Sequence, residues 1–534
     1  MGLVETLLGQ ISFKAALVIL LIAYVGYYIA CRTHEHIRIR RLGHYGPYLR
    51  TYAPWGLDIL VKNVTATVKN QDIAFFRNTI FGKLNSWTVE TRLLGVRTIF
   101  TADPANLKAI LATQFGDYGK GKPFHREWSD FLGDSIFTTD GAQWHASRQL
   151  IRPQFTRDRV SDLHCFESHM QTLFRAIANG GPLQGEDQEV DMGRVNGKVF
   201  DISDLFFRYT LDVATEFLLG WGVKSLSSTP RQEFAEAFNA VQHEQNILSR
   251  TAKLRHIYPK FRFWRGLGTV NKFINMYIER ALRMSPEELA SKSKDDHSYT
   301  FLHALAGFTR DRKVLRDQII AVLLAGRDTT ASTLSWVLYE LGRHPEVVAK
   351  LRAEILSTVG PERTPTYADL KDMTYLKAIF SEILRLYPSV PFNVRLALKD
   401  TTLPRGGGPD GSEPLPVLKD SPVVYSTLVM QRRSDLYPPV SDTFADPRIF
   451  SPDRWAHWHP RPHEYIPFNA GPRICIGQQF ALTEMSYVLC RMFQRYERVV
   501  SYMKDVDGGE PRLKSDIVLS PGQGVRVALW EAQR

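Results

Sequence analysis

Cysteine is scarce in this chain of 534 residues: only Cys31, Cys165, Cys475 and Cys490 occur. Four so scattered exclude a disulfide framework and a Cys-x-x-Cys metal site, and they fit a reducing compartment for the main body. No basic low-complexity tail and no aromatic-interleaved basic stripe accompany the net charge of +11, so nucleic acid is set aside as a partner. The charge points instead to an anionic membrane or an acidic protein. Flavin and nicotinamide motifs are missing too. Gly406, Gly408 and Gly411 spell Gly-x-Gly-x-x-Gly, but Pro409 interrupts them and no helix or βαβ context follows, so they read as a loop. His457, His459 and His463 have prolines and a tryptophan between them, which argues for a packed meander rather than a metal site.

What is present begins with a long apolar run. Residues 11–31 are apolar except for Ser12 and Lys14, about 20 residues and enough to cross a bilayer core. Lys14 can snorkel at one end, and Tyr24, Tyr27 and Tyr28 stand where an aromatic belt would lie. Arg32, Arg38, Arg40 and Arg41 then place the following mass on the cytoplasmic side. The competing reading, a cleaved signal peptide, meets a run long for that role and no small-x-small site at its end. Gly46, Pro47 and Pro54 punctuate the next stretch as a stiff connector. The expected organisation is a short lumenal N-terminus (1–10), a transmembrane anchor (11–31), a basic and Pro/Gly-rich linker (32–58) and one catalytic body (59–534).

Within that body, apolar residues recur at three-four spacing over 204–219, 231–248 and 268–282, which predicts helices. A longer pattern covers 311–342. Its middle, Ala-Gly-Arg-Asp-Thr-Thr at 325–330, offends helix logic. Gly326 costs about 1 kcal/mol against alanine in mid-helix, and buried Asp328 and Thr329 cost more unless paired. Such a conflict is expected at a functional site; a core helix with a back-bonding threonine is the alternative. Another helix is outlined by apolar residues from Leu370 to Leu384 and ends before Pro388. Trp144 with Arg148, and Glu382 with Arg385, each share a helix face. Turn residues and β-branched runs between 398 and 428 predict short strands, and more close the chain near 517–519 and 525–529. The fold class is mainly α with small β-sheets.

The stretch Phe-Asn-Ala-Gly-Pro-Arg-Ile-Cys-Ile-Gly-Gln-Gln-Phe-Ala, 468–481, opens the last long helix. A cysteine thiolate is a soft, electron-donating ligand, and on haem iron it favours O–O cleavage. Gly471 permits a tight turn, Arg473 can pair with a propionate, and Gly477 lets a helix start whose N–H groups face the sulfur. Phe468, Gly471, Arg473, Cys475 and Gly477 reproduce the Phe-x-x-Gly-x-Arg-x-Cys-x-Gly signature of the haem-thiolate monooxygenases, and the chain resembles the cytochrome P-450 family.

The resemblance implies that fold, with a long central helix over the haem. It implies haem b held at its iron by Cys475 and at its propionates by Trp144, Arg148, Arg395 and Arg473. Asp328 and Thr329 would deliver protons for O2 activation. Glu382 and Arg385 would clamp Arg454, and Val390, Phe392 and Val394 would face substrate. Electrons would come from a membrane-bound NADPH–cytochrome reductase that carries the flavins, docked near the basic cluster of Arg148, Arg152, Arg157 and Arg159. The wording of the motifs is most like the fungal microsomal branch that hydroxylates alkanes and fatty acids. The implied activity is monooxygenation of a long apolar chain near its terminal methyl, at the endoplasmic reticulum membrane. Two alternatives stand beside it: the same chemistry on a secondary metabolite, and a haem protein without oxygenase turnover.

Overall fold

The computed structural model describes residues 13–156, 163–227, 232–250, 258–291, 299–442 and 444–533. Nine helices carry the argument: α1 (Phe13–Leu42), α2 (Gly141–Ile151), α3 (His164–Asn179), α4 (Ile202–Leu219), α5 (Gln232–Arg250), α6 (Phe261–Arg283), α7 (Arg312–Leu341), α8 (Thr374–Leu386) and α9 (Gln478–Arg495). Five strands, β1 (Thr88–Leu93), β2 (Val96–Thr101), β3 (Tyr118–Gly119), β4 (Phe392–Ala397) and β5 (Pro422–Ser426), form one sheet in the order β1-β2-β5-β4-β3. Its single parallel pair is β2 with β5, and Arg395 on β4 stands opposite Val423 on β5. Smaller sheets of two and three strands cover the C-terminal third.

Helix α7 is the axis of the molecule. Asp311 caps it by accepting from the Lys313 and Val314 backbone N–H groups, the preferred chemistry for a helix start. It packs against α4, α6, α8 and α9, so it is buried nearly all round, as a core helix of a large domain should be. Gly342 ends it where a Cβ would come within 2.7 Å of the Ser501 backbone nitrogen. Only a residue without a side chain fits that approach.

Two expectations are corrected. The apolar helix does not stop at Cys31: α1 continues through the basic flank to Leu42, and Ile39 is fully buried. Arg38 pairs with Asp400, and Glu35 accepts from Arg92 at 2.6 Å. The first part of the expected linker is thus the docked end of a helix, because its residues are good helix formers with partners on the body. The single helix expected from Leu370 onward is two, Tyr367–Asp372 and α8, separated by Met373 in extended backbone (φ −69°, ψ 102°). A capping box, Thr366 with Asp369, starts the first piece and favours a separate short helix. The start of the helix expected at 231, like Arg157 and Arg159 of the basic cluster and residues 1–12, lies outside the described residues.

Candidate active site

A cavity of about 270 Å³ lies between the middle of α7 and the loop that precedes α9. From one side α7 presents Val322, Ala325, Gly326, Thr329 and Thr330; from the other come Phe468, Arg473, Cys475 and Gly477. Trp144 and Arg148 of α2, and Val390 and Arg395 flanking and within β4, complete the part foreseen from the sequence.

The cysteine loop is shaped by Gly471, which has φ +67° and lies so close to the Leu111 carbonyl that a Cβ would sit 1.8 Å from that oxygen. The Cys475 N–H donates to the Phe468 carbonyl at 3.0 Å, closing the loop. The Cys475 side chain has accessible surface, and that surface is the cavity's. Enclosure by protein pushes its thiol up, while the Gly477 N–H and the field of Arg148 act the other way. A cation at the sulfur would decide the balance for the thiolate.

Around the same cavity stand four basic side chains. Trp144, buried, has Arg473 4.6 Å and Arg148 5.9 Å from its ring centre. Arg148 donates to the Ile474 carbonyl at 3.1 Å. Arg395 is buried and donates to Asn393 Oδ1 at 2.8 Å and to the Val394 carbonyl at 2.9 Å. Lys120 donates to the same Asn393 oxygen at 3.0 Å. One carboxylate answers them: Asp140 accepts from Arg473 at 2.6 Å. Arg473 Nε has no partner among the described residues. Burial and then repulsion by Arg395 push the Arg473 guanidinium down to about 10, and burial with both arginines lowers Lys120 well below its ordinary range. A buried excess of positive charge with an orphaned donor is costly alone and is what a dianionic ligand would relieve.

Not all expected residues meet here. Phe392 and Val394 do not line the cavity; Phe392 instead packs on Phe76, ring centres 4.2 Å apart. Side chains alternate along a strand, and β4 turns Asn393 and Arg395 to the cavity, so its other face goes to the core. Asp328 is on the far side of α7 from Thr329. It faces a polar groove of about 590 Å³ that Asp204, Asn239, Gln242, His243, Arg327, Lys514 and Asp516 also line. Burial raises its pKa, and Arg327 at 3.5 Å and then Gln242 partly offset this. The helix is continuous through 325–330, and the Thr329 hydroxyl donates to the Ala325 carbonyl at 2.7 Å. Gly326 meets no atom within 4 Å of where a Cβ would be, so its missing side chain leaves room in the cavity.

Glu382, Arg385 and Arg454 form a separate buried cluster. Glu382 takes Arg385 in a two-point pair, both at 2.8 Å, and Arg454 at 3.0 Å; Trp455 and the Ser451 N–H complete its shell. Burial opposes its charge, but the two arginines win and hold the carboxyl below its usual range.

Sequence reasoning missed Lys120, Asn393 and Glu484. Glu484, on α9, is fully enclosed at the cavity wall near Thr330, and burial raises it far above a normal carboxylate. A signal existed: Phe480, Glu484 and Val488 share a helix face at four-residue spacing, and an acid between two apolar residues there is an anomaly. Lys120 had none; it is brought in by a loop.

The residues fit haem b. A thiol stands ready for iron, cations for two propionates, and Phe155, Phe217, Val322 and Phe480 for an apolar macrocycle. Fold and site together define a haem-thiolate protein. A family model described as cytochrome P450 matches residues 81–524, and the chain belongs to that family. It is 56% identical to the cytochrome P-450 monooxygenase pvhE of Talaromyces variabilis over 100% of this chain and 99% of that one. It is 38% identical to cytochrome P-450 52A12 of Debaryomyces hansenii (96% and 97% covered) and 41% to cytochrome P-450 52A1 of Candida tropicalis (85% and 82%). The solved heme domain of cytochrome P-450DA shares the fold, with a TM-score of 0.71 at 19% identity over 92% of this chain and 99% of that one. The chain is a haem-dependent monooxygenase, a family that works with a redox partner on hydrophobic substrates. Its apolar helix α1, of mean hydropathy 2.0 over its best window and not buried there, suits a membrane anchor.

Proposed function

We propose that Cys475 binds the haem iron and that the enzyme hydroxylates a long alkane or fatty acid near its terminal methyl. The observation that carries the site is one thiol and four basic side chains lining a single cavity. Thiolate-bound haem supplies reductive O2 cleavage and insertion of one oxygen atom into a C–H bond. Arg148, Arg395, Arg473 and Lys120, with Trp144 between two of them, would hold the propionates. Phe155, Phe217, Val322 and Val390 exclude water and hold an apolar chain.

Protons reach the site through α7. Asp328, raised by burial and beside a polar groove, holds a proton at its carboxyl and exchanges it with solvent. Thr329, on the cavity side with its hydroxyl proton on the Ala325 carbonyl, offers Oγ1 as an acceptor that orients a water there. Thr329→Ala should raise the NADPH consumed per product and release peroxide; unchanged coupling would remove this role. Cys475→Ser should lose the red-shifted Soret band of the reduced carbon monoxide complex.

The electron donor is a membrane-bound NADPH–cytochrome reductase, docking beneath the cysteine loop. A hollow of about 510 Å³ there carries Lys371, Lys377, Gln478 and Gln479 around Ile474. The anchor is a single pass of the endoplasmic reticulum membrane with the body in the cytosol, as the arginines after residue 31 direct. Substrate is tested with microsomes offered dodecane, lauric acid and a panel of aromatic metabolites. Terminal hydroxylation of the first two supports the proposal. Turnover of an aromatic metabolite alone assigns the enzyme to secondary metabolism instead.

A further inference from the structure

Away from the haem cavity, three metal-ligating side chains converge between α3 and α4. Cys165 and His169 are four apart on α3 and so share a face; Glu216 comes from α4. The thiol sulfur, an imidazole nitrogen and a carboxylate oxygen all lie within 4.8 Å of one another. Together they give the donor types that zinc prefers: thiolate, imidazole and carboxylate in one site. Hard cations such as magnesium and calcium want oxygen alone.

The surroundings hold this arrangement. His169 Nε2 already meets Glu216 Oε2 at 2.8 Å, with the imidazole 12% and the carboxylate 35% exposed. The ring stands edge-on to buried Tyr209, and Gly222 lies so close that a Cβ there would be 3.0 Å from His169 Cε1. The imidazole is therefore fixed on two sides. A carboxylate and a thiol beside this imidazole make a pocket suited to a dication.

We propose that Cys165, His169 and Glu216 bind one zinc ion, with water in the fourth position where the site is open. Zinc displaces the thiol proton, replaces the His169–Glu216 hydrogen bond with two metal–ligand bonds, and ties α3 to α4. The opposite face of α4 carries Ala214, Phe217 and Leu218 into the haem cavity, so the ion stiffens the wall against which substrate lies. This site stands apart from the haem chemistry and does not depend on which substrate is turned over.

The test uses the untagged, full-length holoenzyme, stripped with chelator and dialysed against zinc chloride. Elemental analysis should find one zinc per haem iron. Cys165→Ser and His169→Gln should each lower zinc affinity at least tenfold while the reduced carbon monoxide spectrum stays unchanged, which separates loss of the site from loss of the fold. Zinc-edge absorption of the wild type should show one sulfur neighbour at about 2.3 Å. No zinc above the variants' level, or a zinc shell of nitrogen and oxygen alone, overturns the proposal.

Discussion

Two buried clusters of arginine in this protein are built on opposite principles. Around Glu382, the two guanidinia of Arg385 and Arg454 spend their donors on one carboxylate and on the Ala445, Asp446, Pro447 and Ile449 carbonyls. Around the haem cavity, Arg395, Arg473 and Lys120 crowd one another, share one carboxylate and leave Arg473 Nε unanswered. The first cluster is complete in the folded chain. The second is complete only with an anion, so it reports a ligand whereas the first reports a frame. Burial of charge alone does not mark a binding site; burial of unbalanced charge does.

The comparison breaks most visibly at its closed end. Glu382→Gln should cost about 3–5 kcal/mol, because it strands two buried guanidinia; denaturant unfolding of the holoenzyme checks this. Glu382 sits below its usual range in the folded state. Its contribution is therefore fully present above the unfolded value near pH 4.3 and is lost as pH falls through the folded one. The variant should lack that acid-limb loss.

A third buried acid has the opposite sign. Burial pushes Asp212 up to about 6, so between the unfolded value and pH 6 the folded chain binds the extra proton. Stability should fall as pH rises across that window, by up to about 3 kcal/mol. Asp212→Asn should flatten the slope, measured as unfolding midpoints from pH 4 to 7.

At the open cluster, Arg473→Gln should cost the fold less than Glu382→Gln, since loss of the pair with partly exposed Asp140 is offset by relief of the repulsion from Arg395. Haem retention should instead weaken by about 1.5–3 kcal/mol, the worth of a hydrogen bond to a charged group, read as faster transfer of haem to an acceptor globin. Smallest of all should be Lys350→Ala. Lys350 and Asp453 pair at 2.9 Å with both side chains 55% exposed, and such pairs are worth about 0–1 kcal/mol.

The pair Glu382 and Arg385 was legible in the sequence because the two lie on one helix turn; that Arg454 joins them came from the family resemblance. Cys475, Arg473 and Gly471 were legible for the same reason: one short loop holds them. The long helix was readable from its period over 311–342. What stayed hidden was set by long-range approach. Lys120 meets Arg395 only through the sheet pairing of β3 with β4. Which face of β4 turns inward depends on strand register, so Phe392 and Val394 were taken for the wrong side. The basic stretch after residue 31 was taken for the start of a linker because nothing in the sequence shows that Arg38 meets Asp400 and Glu35 meets Arg92.

That last point has a mechanical outcome. Because α1 runs without a break from its apolar part into its docked end, the body is mounted on a rigid mast rather than hung from a tether. An α-helix advances about 1.5 Å and turns about 100° per residue. One residue inserted between Cys31 and Arg38 would turn the body by about 100° relative to the apolar part of the helix, or else tear Arg38 and Ile39 from their seats. The bearing of the body on that apolar part is thus written in the residue count of one helix.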